Sequence, residues 1–195
     1  MPDNDMPWFN QNAYGKSEYD DNEYPLPPLG CGICSACAAL YRLFGNVIEP
    51  DELRDLLQWR VSKWQGEPFI GDDGLLYRPF LTLLSRSFAI EWEEVPTYES
   101  ARKAIHDGKV LLTGNGGPVF LTREGVLHSH KGHVVCVYDC TSEPDGSCVY
   151  HVMDPQICGG SDVRYGEEDF ERWMDSVSRR TGDNAGSCYA LWIRC

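Results

Sequence analysis

The amino-acid sequence predicts one α+β domain, in which helices come first and a mostly antiparallel sheet follows. Apolar residues recur at helical spacing before residue 88, whereas the later part of the chain falls into short strand-like runs. The chain has 195 residues, of which 42% are hydrophobic, and this is enough for a single core. When helices and strands segregate along the chain in this way, the helices pack against the faces of the sheet.

A buried central helix is predicted to begin at Cys31. The run CGICSACAALYRLFG is small or apolar on every side except at Arg42, and a helix that is hydrophobic all round is a buried one. Residues 1–30 are polar and acidic, and the prolines of PLPPLG interrupt them. We therefore expect residues 1–30 to form an irregular arm laid over the domain.

Two further helices and the sheet are predicted after the central helix. Residues 46–59 have leucines at helical spacing, and LLYRPFLTLLSRSF predicts a third helix with a kink at Pro79. Strand-like runs follow in AIEWEEV, KVLLTG, GHVVCVYDC, SCVYHVMDP and CYALWIRC, and short helices in YESARKAIHDG and EEDFERWMDSV. The turn-like TSEPDGS predicts that the third and fourth of these strands pair as a hairpin.

Charge and hydropathy argue against several classes of partner. The chain carries 17 basic and 30 acidic residues, a net charge of −13, which repels phosphate backbones and anionic membrane surfaces. No apolar run reaches the roughly 18 residues that span a bilayer. The N-terminus lacks the basic and apolar regions of an export signal, although a removed signal would leave no trace. We expect neither a nucleic-acid nor a membrane partner, and the oligomeric state stays open.

Nine cysteines are many for a cytosolic protein, and their odd number leaves one free thiol if the rest are paired. Cys140 and Cys148 flank TSEPDGS, so they could face each other across the hairpin. Cys34 and Cys37 lie one helical turn apart and fit small core residues. Together with Cys31 they are also spaced like part of an iron–sulfur motif, but the fourth ligand is missing. We therefore predict no metal and no cofactor, and leave the disulfide pairing open.

A cysteine, a histidine and an aspartate stand where nucleophilic catalysis requires them. Cys31 lies at the predicted start of the central helix between Gly30 and Gly32, which leave room for a substrate backbone. His133 begins one predicted strand and Asp154 ends the next. If these strands pair as a hairpin, the histidine and the aspartate become neighbours at one rim of the sheet, as a base and its orienting group must.

Other residues compete for these roles. Cys34 is the rival nucleophile, although it should point inward one turn later. His128 and His130 are close enough in sequence to compete for the role of base, but only His133 belongs to the predicted strand. Asp154 could instead be a turn residue before the proline that follows it.

The same segments resemble the papain-like cysteine peptidases, in particular the bacterial branch of double-glycine, bacteriocin-processing peptidases. GCGICSACAAL is similar to that branch's helix start, GKVLL with GHVVCVYD to its histidine strand, and VYHVMDP to its aspartate strand. The resemblance covers nearly the whole chain and implies a papain-like fold with a catalytic triad of Cys31, His133 and Asp154. It also implies an oxyanion-hole glutamine upstream of the cysteine, and Gln11 in FNQNAYG stands at the matching place.

The function that this resemblance implies is hydrolysis of a peptide or amide bond through a thioester on Cys31. Gln11 and the backbone N–H of Cys31 would hold the oxyanion, and His133 would protonate the leaving amine. By analogy with relatives that act outside bacterial cells, the expected substrate is a peptide or peptidoglycan. The expected location is bacterial and secreted or at the cell wall if an export signal was removed, and cytoplasmic otherwise. Acyl transfer, peptide binding without catalysis and metal binding are the open alternatives.

The chain departs from the family pattern at two places. Ile33 and Cys34 stand where the family usually has Pro or Ala followed by Ser or Thr. Residues 114–131, GNGGPVFLTREGVLHSHK, make a longer link to the histidine strand than is usual. This longer link is a candidate lid or specificity loop.

Overall fold

The computed structural model describes residues 6–11, 13, 26–64, 66–71, 74–115, 120–121, 127–128, 133–157, 159–178 and 188–194. Most of the candidate lid at residues 114–131 therefore lies outside the described residues. Five helices lie in the described part: α1 (Leu26–Phe44), α2 (Pro50–Trp64), α3 (Tyr77–Phe88), α4 (Tyr98–His106) and α5 (Glu167–Ser178). Its ten strands are β1 (Ile70–Gly71), β2 (Gly74–Leu75), β3 (Ile90–Glu94), β4 (Val110–Asn115), β5 (Phe120–Leu121), β6 (Leu127–His128), β7 (His133–Ser142), β8 (Cys148–Met153), β9 (Val163–Gly166) and β10 (Cys188–Ile193).

A six-stranded antiparallel sheet with the order β3-β10-β4-β7-β8-β9 forms the centre of the fold. Strands β7 and β8 pair as the predicted hairpin, and Gly146 in their turn has a φ of +87° that favours glycine. β1 with β2 and β5 with β6 form two small hairpins outside the sheet. The predicted α+β fold class, with a buried helix on an antiparallel sheet, is confirmed.

The sheet separates two hydrophobic cores. Leu112 and Cys136 face each other in the β4–β7 register and pack with α1, whereas their neighbours Leu111 and Val137 pack with α4 and α5. All four side chains are fully buried. Because successive residues of a strand point to opposite faces, a strand covered on both faces is a continuous apolar run. This is why the central strands lack an alternating polar pattern.

Helix α1 begins at Leu26, five residues before the predicted start. Pro27 and Pro28, which suggested an irregular arm, fall in its first turn, where backbone N–H groups have no intrahelical partner. Proline therefore removes no hydrogen bond there. Residues 26–30 belong to the helix rather than to the arm, and Cys31 lies in the second helical turn rather than at its start.

Two other helix predictions need correction. The second helix was predicted over residues 46–59 and runs instead from Pro50 to Trp64, because proline is favoured at the first helical position. Helix α3 begins at Tyr77, so Pro79 lies in its first turn. A proline at that position breaks no intrahelical hydrogen bond, so the physical reason for the expected kink does not apply. In the described parts of the chain, no helix combines the length and the apolar character needed to cross a membrane.

Candidate active site

The start of β7 and the end of β8 bring His133 and Asp154 together. The pairing of Cys136 with Met153 sets this register, and it places His133 Nε2 2.8 Å from Asp154 Oδ1. Both side chains are buried, the aspartate completely. A histidine held by a carboxylate in this way has one ring nitrogen committed and the other available for chemistry. The two residues are neighbours at the rim of the sheet, as the hairpin prediction required.

Cys31 joins this pair from helix α1. Its thiol is hydrogen-bonded to the His133 side chain. Since Nε2 of the imidazole is bonded to Asp154, Nδ1 is the nitrogen left to face the sulfur. Cys31 is partly exposed, whereas the other two residues are buried. The three side chains thus form a continuous chain whose outer end is the partly exposed sulfur of Cys31.

The protonated form of His133 is stabilised despite its burial. Burial alone lowers the pKa of the imidazole, because it penalises the charged form. The attraction and the hydrogen bond of Asp154, together with the hydrogen bond to Cys31, outweigh burial and raise the pKa of His133 to about 10. An imidazolium at neutral pH is the partner that a thiolate needs.

The rival residues are placed less favourably for catalysis. Cys34 is fully buried, as predicted, and burial raises the pKa of its thiol. Cys37 is also fully buried, and burial raises its pKa in the same way. His128 lies on β6 opposite Phe120, and His130 lies outside the described residues. In the described part of the chain, no three Cys, His, Asp or Glu side chains are grouped to hold a metal ion.

The loop between β8 and β9 holds Asp154 through its backbone. The Asp154 N–H donates to the Gly160 carbonyl at 2.7 Å, and the Gln156 N–H donates to Asp154 Oδ1 at 2.9 Å. Gly160 has no room for a side chain, since a Cβ there would lie 2.4 Å from the Asp154 carbonyl oxygen. This tight turn holds the carboxylate through contacts that do not involve the histidine.

Gln11 lies beside the same loop. Its N–H donates to the Pro155 carbonyl at 3.1 Å, and the nearby Trp8 Nε1–H donates to the Asp154 carbonyl at 3.3 Å. Phe9 between them is buried in the core with α1. The Gln11 side chain is buried, and its Oε1 accepts no hydrogen bond from the residues that the structure describes. Residues 6–11 are thus an arm anchored at the aspartate, with Gln11 at its inner end.

The surroundings of Cys31 differ from the prediction in two respects. Only the first four N–H groups of a helix lack an intrahelical partner, and Cys31 is the sixth residue of α1. Its backbone N–H therefore lies in the hydrogen-bonded part of the helix, and its expected role as an oxyanion donor stays a prediction. Gly32 was expected to give space to a substrate, but a Cβ there would lie 2.8 Å from Leu75 Cδ2. Gly32 makes room for Leu75 of the β1–β2 hairpin instead.

Sequence reasoning missed several residues that position the site. Ser35, one turn after Cys31, donates from Oγ to the Val134 carbonyl at 3.0 Å and so ties α1 to the strand that carries the histidine. A small polar residue in an otherwise apolar helix was the available signal. Trp8 stood out only as a large aromatic residue in a polar arm, and Gly160 carried no signal beyond a glycine pair.

Comparison with known proteins supports the fold. No protein-family model and no curated protein sequence matches the chain. A crystal structure from Bacillus anthracis, described as a "putative C39-like peptidase", is similar to this structure with a TM-score of 0.53 and 16% sequence identity. The similarity covers 98% of this chain and 96% of that one. At this low identity the likeness shows a shared fold over nearly the whole length.

Proposed function

We propose that this protein is a cysteine peptidase or amidase with Cys31 as nucleophile, His133 as general base and acid, and Asp154 as the group that orients the histidine. The observation that carries the proposal is the continuous hydrogen-bonded chain from the buried carboxylate through the imidazole to a partly exposed thiol. The shared fold with a C39-like peptidase supports it, and its coverage supports a single domain over residues 1–195.

The proposed reaction proceeds in two stages. His133 takes the proton of Cys31, and the thiolate attacks the carbonyl carbon to form a tetrahedral intermediate. As the C–N bond breaks, the imidazolium gives its proton to the leaving amine and a thioester remains on the sulfur. His133 then takes a proton from water, which attacks the thioester and releases the acid and the free thiol. Asp154 stabilises the imidazolium in both stages.

Gln11 is the proposed oxyanion donor. Its amide is buried beside the loop that holds Asp154, and its Nε2 is a donor of the kind that stabilises a developing negative charge. Because the N–H of Cys31 is engaged in α1, the side-chain amide carries a larger share of this task than the family resemblance implied.

The proposed substrate is a peptide, with peptidoglycan stem peptides as the narrower possibility that the family resemblance suggests. A net charge of −13 disfavours strongly anionic substrates. Digestion of a mixed peptide library and of purified peptidoglycan, each followed by mass spectrometry, separates the two substrate classes. Adding an amine acceptor to the same reactions distinguishes hydrolysis from acyl transfer, because the acceptor appears in the product only if it captures the thioester.

The decisive test is labelling with a limiting amount of iodoacetamide near pH 6, followed by peptide mapping. We expect Cys31 to react first, because its thiol is partly exposed and hydrogen-bonded to His133. His133→Ala should abolish this fast reaction. The buried thiols Cys34 and Cys136 are internal controls and should react only after unfolding. Fast labelling of Cys34, or uniformly slow labelling of every thiol, would remove the basis of the proposal.

A further inference from the structure

A second group of sulfur and nitrogen atoms lies at the turn end of the β7–β8 hairpin. Cys140 Sγ is 3.7 Å from Nδ1 of His106, and Cys148 Sγ is 3.8 Å from Nε2 of the same imidazole. One ring at the end of α4 therefore contacts two thiols on adjacent strands. We call Cys140 and Cys148 the thiol pair.

Strand register explains why the two thiols converge. Cys140 is paired with Tyr150, and Ser142 is paired with Cys148, so the two cysteines are diagonal neighbours on the same face of the hairpin. The Cα atoms of diagonal neighbours are roughly 7–8 Å apart, slightly more than the separation of about 4.4–6.8 Å that a disulfide usually spans. A bond between them requires a small closure of the hairpin, and a strained disulfide is easily reduced.

The thiol pair is separate from the candidate active site. His133 and Cys140 are at opposite ends of β7, about 23 Å apart at 3.3 Å per residue. The thiol pair packs with the core of α4 and α5, whereas helix α1, which carries Cys31, packs on the other face of the sheet. Chemistry at the thiol pair therefore does not need the triad.

The two cysteines differ in access. Cys140 is partly exposed and Cys148 is buried. The imidazole of His106 that contacts both is exposed at the end of its helix. A small oxidant can therefore reach Cys140 from solvent, while Cys148 is shielded from it.

Charged side chains of α4 and α5 lie beside the thiol pair. Arg102 of α4 donates to Cys148 Sγ at 3.8 Å and forms an ion pair with Glu167 of α5 at 3.2 Å. The Cys148 N–H donates to the other Glu167 oxygen at 3.3 Å. The hydroxyls of Tyr98 and Tyr150 continue this network, since Tyr98 donates to Glu167 and lies 3.0 Å from Tyr150. The guanidinium of Arg102 thus lies beside the Cys148 sulfur and the Glu167 carboxylate.

The environment of Cys140 is less favourable to its thiolate. Burial, the neighbouring Cys148 sulfur and Asp139 raise the pKa of Cys140 to about 11, and Arg102 opposes them only in part. The Cys140 thiol is therefore protonated at neutral pH. A nearby base that accepts its proton is needed before it can react, and the His106 nitrogen at 3.7 Å is such a base.

We propose that Cys140 and Cys148 form a reversible disulfide in exchange with small-molecule disulfides such as oxidised glutathione, with His106 as the proton acceptor. In the first step the Cys140 thiolate attacks one sulfur of the small disulfide, whose S–S bond breaks to release one thiolate and leave a mixed disulfide on Cys140. In the second step the Cys148 thiolate attacks the Cys140 sulfur and expels the second small thiolate.

Electrons and protons are conserved in this exchange. The two protein thiols lose two electrons and two protons, the protein S–S bond forms, and the small disulfide is reduced to two thiols. His106 passes each proton from a protein thiol to the departing thiolate. Because the imidazole only carries protons, it should change the rate of exchange and not its equilibrium.

The test is a titration of the full-length protein with mixtures of reduced and oxidised glutathione at pH 7, followed by rapid alkylation and mass mapping. Proteolysis at Asp145 separates Cys140 from Cys148, so a bridge appears as two linked peptides that reduction releases. We expect both thiols to become protected together. Buried Cys136, whose side chain faces the other core from the same strand, should stay reduced throughout.

Two variants test the separate roles proposed for Cys148 and His106. Cys148→Ser should trap glutathione on Cys140, because the second step has lost its nucleophile. His106→Gln should slow bridge formation by about tenfold and leave the glutathione ratio at the midpoint unchanged. A purely structural role of His106 would shift that midpoint instead, and so would contradict the proposed proton transfer.

Several results would overturn the proposal. One is a wild-type protein that keeps glutathione bound to Cys140 while Cys148 stays a free thiol. Others are a bridge from Cys140 to a different cysteine, or no oxidation at any glutathione ratio while the unfolded chain is oxidised. Labelling of Cys31 is recorded in the same maps, so failure of the thiol pair is distinguishable from failure of the proposed active site.

Discussion

At the scale of single residues, His133 is the group on which the proposed chemistry depends. It is buried between the Asp154 carboxylate and the Cys31 thiol, and these two neighbours determine its charge. A pKa raised to about 10 means that the imidazolium persists through neutral pH and is lost as the pH rises through about 10. Activity that needs this cation should fall at alkaline pH.

Asp154→Asn should therefore change both the rate and its pH dependence. Burial lowers the pKa of His133, and without the carboxylate charge less attraction opposes this effect. His133 then loses its proton at a lower pH. We expect kcat/KM to fall by on the order of 10², with its alkaline limb moved toward neutral pH. A pH profile of kcat/KM measures both effects.

Asp162→Asn is the matched control for this experiment. Asp162 forms a second aspartate–histidine pair, with His151 Nδ1 at 2.7 Å, in the same loop region. Removing its charge should leave the alkaline limb in place. An equal shift in both variants would mean that general electrostatics, and not the contact with His133, sets the profile.

Gln11→Ala tests the oxyanion role. Loss of one oxyanion donor typically lowers kcat by about 10²–10³ and affects substrate binding much less. Gln156→Ala is the control, because it removes a glutamine side chain next to Asp154 and keeps the backbone N–H that donates to Asp154. If steady-state kinetics give the two variants similar kcat values, Gln11 is only a structural part of the arm.

The placement of His133 and Asp154 was predictable because it depends on local rules. His133 and Asp154 begin and end two strands of one hairpin, so the register alone brings them together. The contacts of Trp8 and Ser35 were not predictable, since they join residues 146 and 99 positions apart in sequence. No local pattern encodes which distant carbonyl a side chain meets.

At the scale of elements, the long periodic segments were predicted well and their ends poorly. The apolar runs of β4, β7, β8 and β10 are buried on both faces, and such runs are easy to recognise. The start of α1 was missed because Pro27 and Pro28 were interpreted as helix breakers, although the first turn tolerates them. Strand β9 has four residues and each β1–β2 strand has two, too few for any period to be visible.

Gly160→Ala tests the loop that positions Asp154. A Cβ at Gly160 would lie 2.4 Å from the Asp154 carbonyl oxygen and 2.8 Å from the Ile157 carbonyl oxygen, and these backbone atoms must move to admit it. We expect the free energy of unfolding to fall by about 1–3 kcal/mol and kcat/KM to fall more than tenfold. Chemical denaturation and kinetics on the same sample measure the two effects.

Gly159→Ala is the neighbouring control. Gly159 has a φ of +72° but open space around its Cα, so alanine there strains the backbone by about 1–2 kcal/mol without pressing on Asp154. The stability of this variant should fall while its activity is kept. A comparable loss of activity at Gly159 would show that the loop responds to any strain.

At the scale of the whole molecule, one sheet supports two independent cores and two groups of reactive side chains. Helix α1 and the proposed active site belong to one face and one end of the β7–β8 hairpin, and the thiol pair belongs to the other face and the other end. The fold class was predictable from the order of helical and strand periods. The partition into two cores was not, because a strand buried on both faces carries no alternation.

Phe9→Ala tests how strongly the N-terminal arm is attached. Phe9 is 2% exposed and packs in the core with α1. Truncating it should lower the free energy of unfolding by about 3–5 kcal/mol and reduce activity through Gln11. Phe44→Ala, at an exposed position at the end of α1, should cost much less. Equal melting temperatures for wild type and Phe9→Ala would contradict the anchored arm.

The attachment of the arm to the Asp154 loop has a consequence for the order of folding. The Trp8 contact closes a loop of 146 residues, and contacts of such long sequence separation form late because their closure entropy must be offset by structure already present. The β7–β8 hairpin, which brings His133 and Asp154 together, closes a much shorter stretch of chain. We therefore expect a refolding chain to form this hairpin before the arm docks, so that the pair of His133 and Asp154 exists for part of folding without Gln11 beside it.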